Sequence, residues 1–195
     1  MRRRVYSWGF ACVLALSGAA PVPADTITAQ AAAAAEAAEA GNYPRAFERL
    51  QEAYELLWDA TPLYANKALF VEAADGYGLY TERERGAAFA PDEPLLLYLE
   101  PVGFGYGDAG TGSYVLAFDV DQTLLTEDGR EVFSRDDFAS LVRPLRYRNR
   151  EFFVTVNLSF TGLPAGEYRM QMVLRDQNAD KSMQIELPFS ILDRT

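Results

Sequence analysis

Apolar positions recur at helical spacing from Asp25 to about Ala60 and at every second position in the later part of the chain. In the helical part Asp25 or Thr26 is placed to cap a first helix. Ala31 to Ala35 is a run of the best helix former, and Gly41 can end it. A second helix follows with Pro44 in its first turn. Its Tyr43, Phe47, Leu50, Tyr54 and Leu57 step by four and three and share one face, while Arg45, Glu48, Arg49, Glu52 and Glu55 take the other. Thr61-Pro62 closes the segment.

After Pro62 the period becomes two. Phe152, Val154, Val156, Leu158 and Phe160 alternate with Phe153, Thr155, Asn157 and Ser159. Tyr168, Met170, Met172 and Leu174 form a second alternating run, and Met183, Ile185, Leu187, Phe189 and Ile191 a third. Turn residues separate them at Thr161–Gly166 and Asp176–Asp180. Weaker strands fit near Lys67–Ala74, Tyr77–Arg83, Pro94–Glu100, Ser113–Val120 and Gly129–Phe133. About eight short strands after a helical hairpin predict an α+β chain, a hairpin followed by an antiparallel β-sandwich. Pro188 has no amide hydrogen to give a ladder and belongs at a bulge or an edge.

Two resemblances sharpen this. The residues Gly41-Asn42-Tyr43, Ala46, Leu50 and Ala53 resemble the second half of a tetratricopeptide repeat, over about one repeat and with no second copy. A lone repeat builds no solenoid, so a hairpin packed on its neighbouring domain is expected, with a peptide-binding groove as the alternative. Leu163-Pro164-Ala165-Gly166-Glu167-Tyr168 before an alternating strand resembles the tyrosine-corner approach of immunoglobulin-like and fibronectin-like domains. With Pro94–Glu100 and the final run Leu187–Ile191, residues 65 to 192 are similar to small uncharacterised periplasmic proteins of Gram-negative bacteria. That likeness implies an immunoglobulin-like sandwich and carries no activity.

The first residues change the expected compartment. Arg2, Arg3 and Arg4 precede an apolar stretch densest from Phe10 to Leu16, and Val22-Pro23-Ala24 puts small residues at a cleavage site before Asp25. The reading is therefore a signal peptide over 1–24, a helical hairpin over 25–62, a sandwich over 63–195, and export to the periplasm. The apolar stretch is far shorter than the roughly 20 residues a membrane span needs, and no lipobox precedes Cys12. Cys12 is the single cysteine, so cleavage leaves none. Of 18 basic and 28 acidic residues, three arginines leave with the leader, which moves the net charge from −10 to −13. Such acidity argues against nucleic acid as a partner.

The chain has no histidine, which removes Ser-His-Asp and Cys-His catalysis and every histidine metal site. With cysteine gone as well, zinc loses its usual ligands. The expectation is a chain that is not an enzyme and holds no cofactor or metal, with an envelope protein as its partner. Asp119-Val120-Asp121-Gln122-Thr123 resembles the first motif of haloacid-dehalogenase-like phosphatases, which implies Asp119 as nucleophile and Asp121 as acid/base. The antiparallel pattern around it and the 70 residues after Leu125 contradict a phosphatase fold.

Two other groups are candidate binding residues. Gly103, Gly105, Gly107, Gly110 and Gly112 make a hairpin loop in which Phe104, Tyr106 and Tyr114 offer an aromatic surface to a small ligand or glycan. Arg146, Arg148 and Arg150, with Arg143 nearby, form a basic cluster suited to an anion or an acidic partner.

Overall fold

The protein is described here from a computed structural model covering residues 14–15 and 24–194. The signal-peptide reading falls almost wholly outside these residues.

The chain order is β1 (Leu14–Ala15), α1 (Ala24–Glu39), α2 (Tyr43–Ala60), β2 (Tyr64–Gly76), β3 (Leu79–Glu82), β4 (Ala88–Phe89), β5 (Leu95–Val102) and β6 (Gly107–Gly110). Then follow β7 (Ser113–Thr126), β8 (Glu131–Leu145), β9 (Val154–Leu158), β10 (Gly166–Asp176) and β11 (Lys181–Ile191).

The helical hairpin forms where the spacing places it. Gly41 takes a left-handed φ of +74°, and the Gly41 and Asn42 amides donate back to the carbonyls of Ala38 (2.9 Å) and Ala37 (2.8 Å), closing α1. Asn42 then caps α2, its side-chain oxygen accepting from the Arg45 amide. One short link thus stops one helix and starts the next. The helices pack through small residues, Ala34 and Ala37 of α1 and Ala46 and Ala53 of α2 being buried.

Seven strands make one sheet in the order β1-β11-β10-β7-β6, with β4 beside β11 and β8 beside β7; the other sheet runs β3-β2-β5-β9. The alternating runs bury the expected side: Tyr168, Met170, Met172 and Leu174 on β10, and Met183, Ile185, Leu187, Phe189 and Ile191 on β11. Phe70 of β2 packs edge-on against Phe89 and Phe189, so the two sheets share one apolar core. Pro188 sits opposite Arg169 in the stretch of β11 that neither β1 nor β4 covers. Ser190, two residues on, donates toward the β4 side, so position 188 also faces that open edge and needs no amide hydrogen.

The fold class expected from the sequence is corrected. Strands dominate the chain beside the two helices, and the arrangement is not an immunoglobulin-like or fibronectin-like antiparallel sandwich. The larger sheet is mixed, because β4 runs parallel to β11 through Ala88 and Phe89. Its longest part is one hairpin, β7 and β8, of 14 and 15 residues, in which β8 pairs with β7 alone and lies at the edge. The weak patterns hid this length. On β7 the outward Asp119, Asp121 and Thr123 keep the alternation going past Val120 to Thr126 but lower its hydrophobicity. On β8 the residues from Glu131 to Asp137 are all exposed, so no inward face marks a strand. The Tyr168 hydroxyl does donate to the Pro164 carbonyl at 2.8 Å, a local corner set within a different sheet order.

Candidate functional site

The functional question centres on how the helical hairpin is held and what it presents. Its hold is built at the C-terminal end of α2. Trp58 is buried, stands edge-on to Phe104 with centroids 5.0 Å apart, and donates its indole hydrogen to the Phe104 carbonyl at 2.8 Å. Beside it the Lys181 ammonium donates to three backbone carbonyls, those of Asp59, Thr61 and Gly103, each at 2.8 Å. Three donors meet three acceptors, so the buried charge is satisfied. Burial pushes the Lys181 ammonium below its ordinary value, with Asp176 and Asp59 pulling the other way.

Asp176 completes the junction, accepting from the amides of Gly105 (2.5 Å) and Asn178 (2.8 Å). Burial pushes its carboxyl above the ordinary value against those amides and Lys181. A carboxyl raised in the folded state keeps its proton after the unfolded chain has lost it. Stability from this group is therefore fullest below pH 3.8 and is lost as pH climbs through the raised value. Relative to the Asp176→Asn variant, urea unfolding of the parent is expected to lose ground as pH rises above 3.8. A gap independent of pH refutes this.

The glycine-rich stretch serves the same junction. Gly103 has φ of +82°, and a Cβ there lies 2.6 Å from the Pro62 carbonyl. At Gly105 a Cβ lies 2.6 Å from that of Ala179. These two glycines are sites of close backbone approach, where a flexible loop was expected.

The candidate binding residues separate accordingly. Phe104 is wholly buried among Trp58, Tyr106, Phe118 and Phe152. Tyr106 is half-buried, donates to the Asn149 carbonyl at 2.9 Å, and has its hydroxyl pushed up to about 12 by burial. Tyr114 lies edge-on to Tyr106 at 6.0 Å. Arg148 sits 4.7 Å over the Tyr106 ring and pairs with Asp59 at 2.7 Å. Arg150 sits 4.4 Å over Tyr54 and pairs with Glu55 at 3.4 Å. The structure thus brings Tyr106, Arg148 and Arg150 together as a brace on α2. Arg146 stays exposed beside Tyr147 at the turn after β8. A cavity of about 260 Å³ lies elsewhere, lined by Tyr77, Leu141, Arg143, Phe152 and Phe153 among others.

Asp119 and Asp121 stand in the middle of β7 in an antiparallel ladder, without the strand end a phosphatase motif needs. The Arg175 guanidinium bridges Asp121 and Asp137, and the Asp137 amide donates to Asp121 at 2.8 Å. Among the described residues no three carboxylate, histidine or cysteine side chains come together as a metal site. Among them, too, no helix is long and apolar enough to cross a membrane.

What the sequence reading missed is the fate of the α2 apolar face. Tyr43, Phe47, Leu50, Tyr54 and Leu57 are 47–73 % exposed. The hairpin packs through its alanines and docks by its end, which leaves the large side chains exposed, with Arg150 over one face of Tyr54. The signal was present in Ala46, Ala53 and Ala60, which form their own small-residue face beside the large one.

No family model matches the chain, and no curated protein does. Among solved structures it is similar to the alkylpurine DNA glycosylase AlkC of Pseudomonas fluorescens, bound to DNA containing an abasic site analog. The TM-score is 0.32 at 10% identity, over 80% of this chain and 39% of that one. The chain spans well under half the length of that structure. That solved structure is an enzyme, and the expectation that this chain is not one is withdrawn. At this TM-score the likeness carries no activity and no nucleic-acid partner to this chain.

Proposed function

We propose that this chain is an exported, periplasmic interaction or accessory module, in which the helical hairpin meets a protein partner within the envelope and the β-structure holds the hairpin in place. The observation that carries the reading is the row of five large apolar side chains exposed on α2. Contiguous exposed apolar surface of this kind marks interaction sites, whereas scattered exposed residues are ordinary. Export is supported by the leader-like pattern over residues 1–24.

The bracing of α2 also favours this reading. Trp58, Lys181, Arg148 and Arg150 fix the C-terminal end of the helix, so the exposed row is held rigid, which lowers the ordering cost of binding. The test is photo-crosslinking in intact cells with p-benzoylphenylalanine at position 47. A discrete heavier band is expected on irradiation, and none when the analogue replaces Glu52 on the polar face. Equal labelling from both positions, or no band from position 47, sinks the proposal.

A further inference from the structure

The partner of the α2 face can be narrowed from its spacing. Tyr43, Phe47, Leu50, Tyr54 and Leu57 are separated by four, three, four and three residues. This is the strict 3.5-residue repeat of a coiled-coil seam, narrower than the stripe a helix uses against a sheet or a globular core. Its natural occupant is another helix. Neither helix of the described chain fills that place, because α1 already packs on the neighbouring alanine face of α2.

Resting on the interaction reading above, we propose that α2 pairs with α2 of a second copy of this chain, antiparallel about a two-fold axis at Leu50. The row is self-complementary in that arrangement. Leu50 meets Leu50 and Tyr43 meets Leu57 of the other copy, with Phe47 and Tyr54 side by side, one residue apart in register. The antiparallel sense also opposes the two helix dipoles favourably. On α2 the seam is flanked by Ala46 and Ala53 on one side and Pro44 and Gln51 on the other, and Arg150, lying over the Tyr54 ring, is paired with Glu55. With α1 of each copy alongside, the result is a four-helix arrangement.

Charge and area agree with a second copy. The chain is strongly acidic, at −10. Yet Arg45, Arg49, Arg148 and Arg150 balance Glu48, Glu52, Glu55 and Asp59 on α2 and its brace, with Arg148 and Arg150 reaching Glu55 and Asp59 directly. Two copies can therefore meet here without the repulsion that acidic surfaces impose elsewhere. The five side chains hold on the order of 500 Å² of exposed surface. Face to face they cover about 1,000 Å² before the flanking residues are counted, the size at which an interface becomes specific.

The experiment combines sedimentation with cysteine crosslinking of the purified protein. A species of twice the mass of the mature chain is expected at micromolar concentration. Phe47→Glu or Leu50→Glu should weaken it at least about 30-fold, while circular dichroism and melting stay as in the parent, since both positions are exposed. In the mature chain, which has no cysteine of its own once the leader is cleaved, Leu50→Cys should form a disulfide-linked dimer and Phe47→Cys alone should not. The Phe47→Cys/Tyr54→Cys pair should crosslink. A monomer at about 100 μM, or a dimer indifferent to both glutamates, overturns the pairing. Crosslinking through Glu52→Cys in place of Leu50→Cys does so too. The in-cell photo-crosslink separates the two levels. A position-47 adduct of a size other than a dimer of this chain, with the purified protein monomeric, overturns the second-copy inference and leaves the interaction reading standing. No adduct with a monomeric protein overturns both.

Discussion

Lys181→Met is expected to lower the unfolding free energy by about 3–5 kcal/mol and the melting temperature by roughly 10 °C. Methionine keeps a similar stem and removes the ammonium. The carbonyls of Asp59, Thr61 and Gly103 each lose a donor 2.8 Å away in a closed junction. Each unsatisfied buried acceptor costs about 1–3 kcal/mol. The gross loss is offset in part because burying the ammonium is itself unfavourable, as its lowered pKa shows. The net sign is still loss, because the acceptors are backbone and cannot be removed with the side chain. Those carbonyls belong to the end of α2, the segment leading into β2, and the residue after β5, so the damage should be local as well as global. Limited proteolysis is expected to cut first between Asp59 and Leu63. Urea unfolding with a change below about 1 kcal/mol would show that solvent replaces the ammonium and that the junction is wetter than its burial implies.

Trp58→Ala is expected to cost about 3–5 kcal/mol, and Trp58→Phe about 1–2 kcal/mol. Alanine removes both the ring that packs edge-on against Phe104 and the donor to the Phe104 carbonyl. Phenylalanine keeps most of the ring contact and loses the donor alone. The pair therefore separates packing from hydrogen bonding at one position. It also tests the division of labour proposed for the molecule. If the junction holds the hairpin on the β-structure, Trp58→Ala should free the hairpin, seen as faster amide exchange throughout α2, while β10 and β11 keep their protection. Equal loss of protection in helix and strands would mean that the protein unfolds as one unit and that Trp58 is simply part of its core.

Some parts of the candidate site were legible in the sequence and others were not, for identifiable reasons. The spacing of Arg146, Arg148 and Arg150 brought out the cluster, but spacing carries no information about which acidic residues come near. Glu55 and Asp59 lie about ninety residues earlier and reach Arg148 and Arg150 only because Trp58 and Lys181 anchor the end of α2 beside them. Phe104 sits in a glycine-rich run that reads as a surface loop. The glycines are there because backbone segments converge, and that convergence is what buries Phe104. The aspartates of β7 offered a motif match whose meaning depends on neighbouring strands, and an antiparallel partner carrying Arg175 uses Asp121 in an ion pair.

By itself the sequence determined the local elements whose causes are local. The two helices follow from their periodicity, from Gly41 and from Asn42. The strands β9, β10 and β11 follow from strict alternation, and the open edge at Pro188 from the missing amide hydrogen. Only the tertiary structure decided the order of strands in the two sheets, the parallel pairing of β4, and the full length of β7 and β8. Pairing is a contact between distant segments, and a strand exposed on one side leaves little pattern to read. It decided as well which face of α2 is covered. Periodicity shows that α2 has a small face of alanines and a large face of aromatics and leucines. That the alanines meet α1 and the large residues meet water depends on where Trp58 and Lys181 fix the end of the helix, and so on the whole fold.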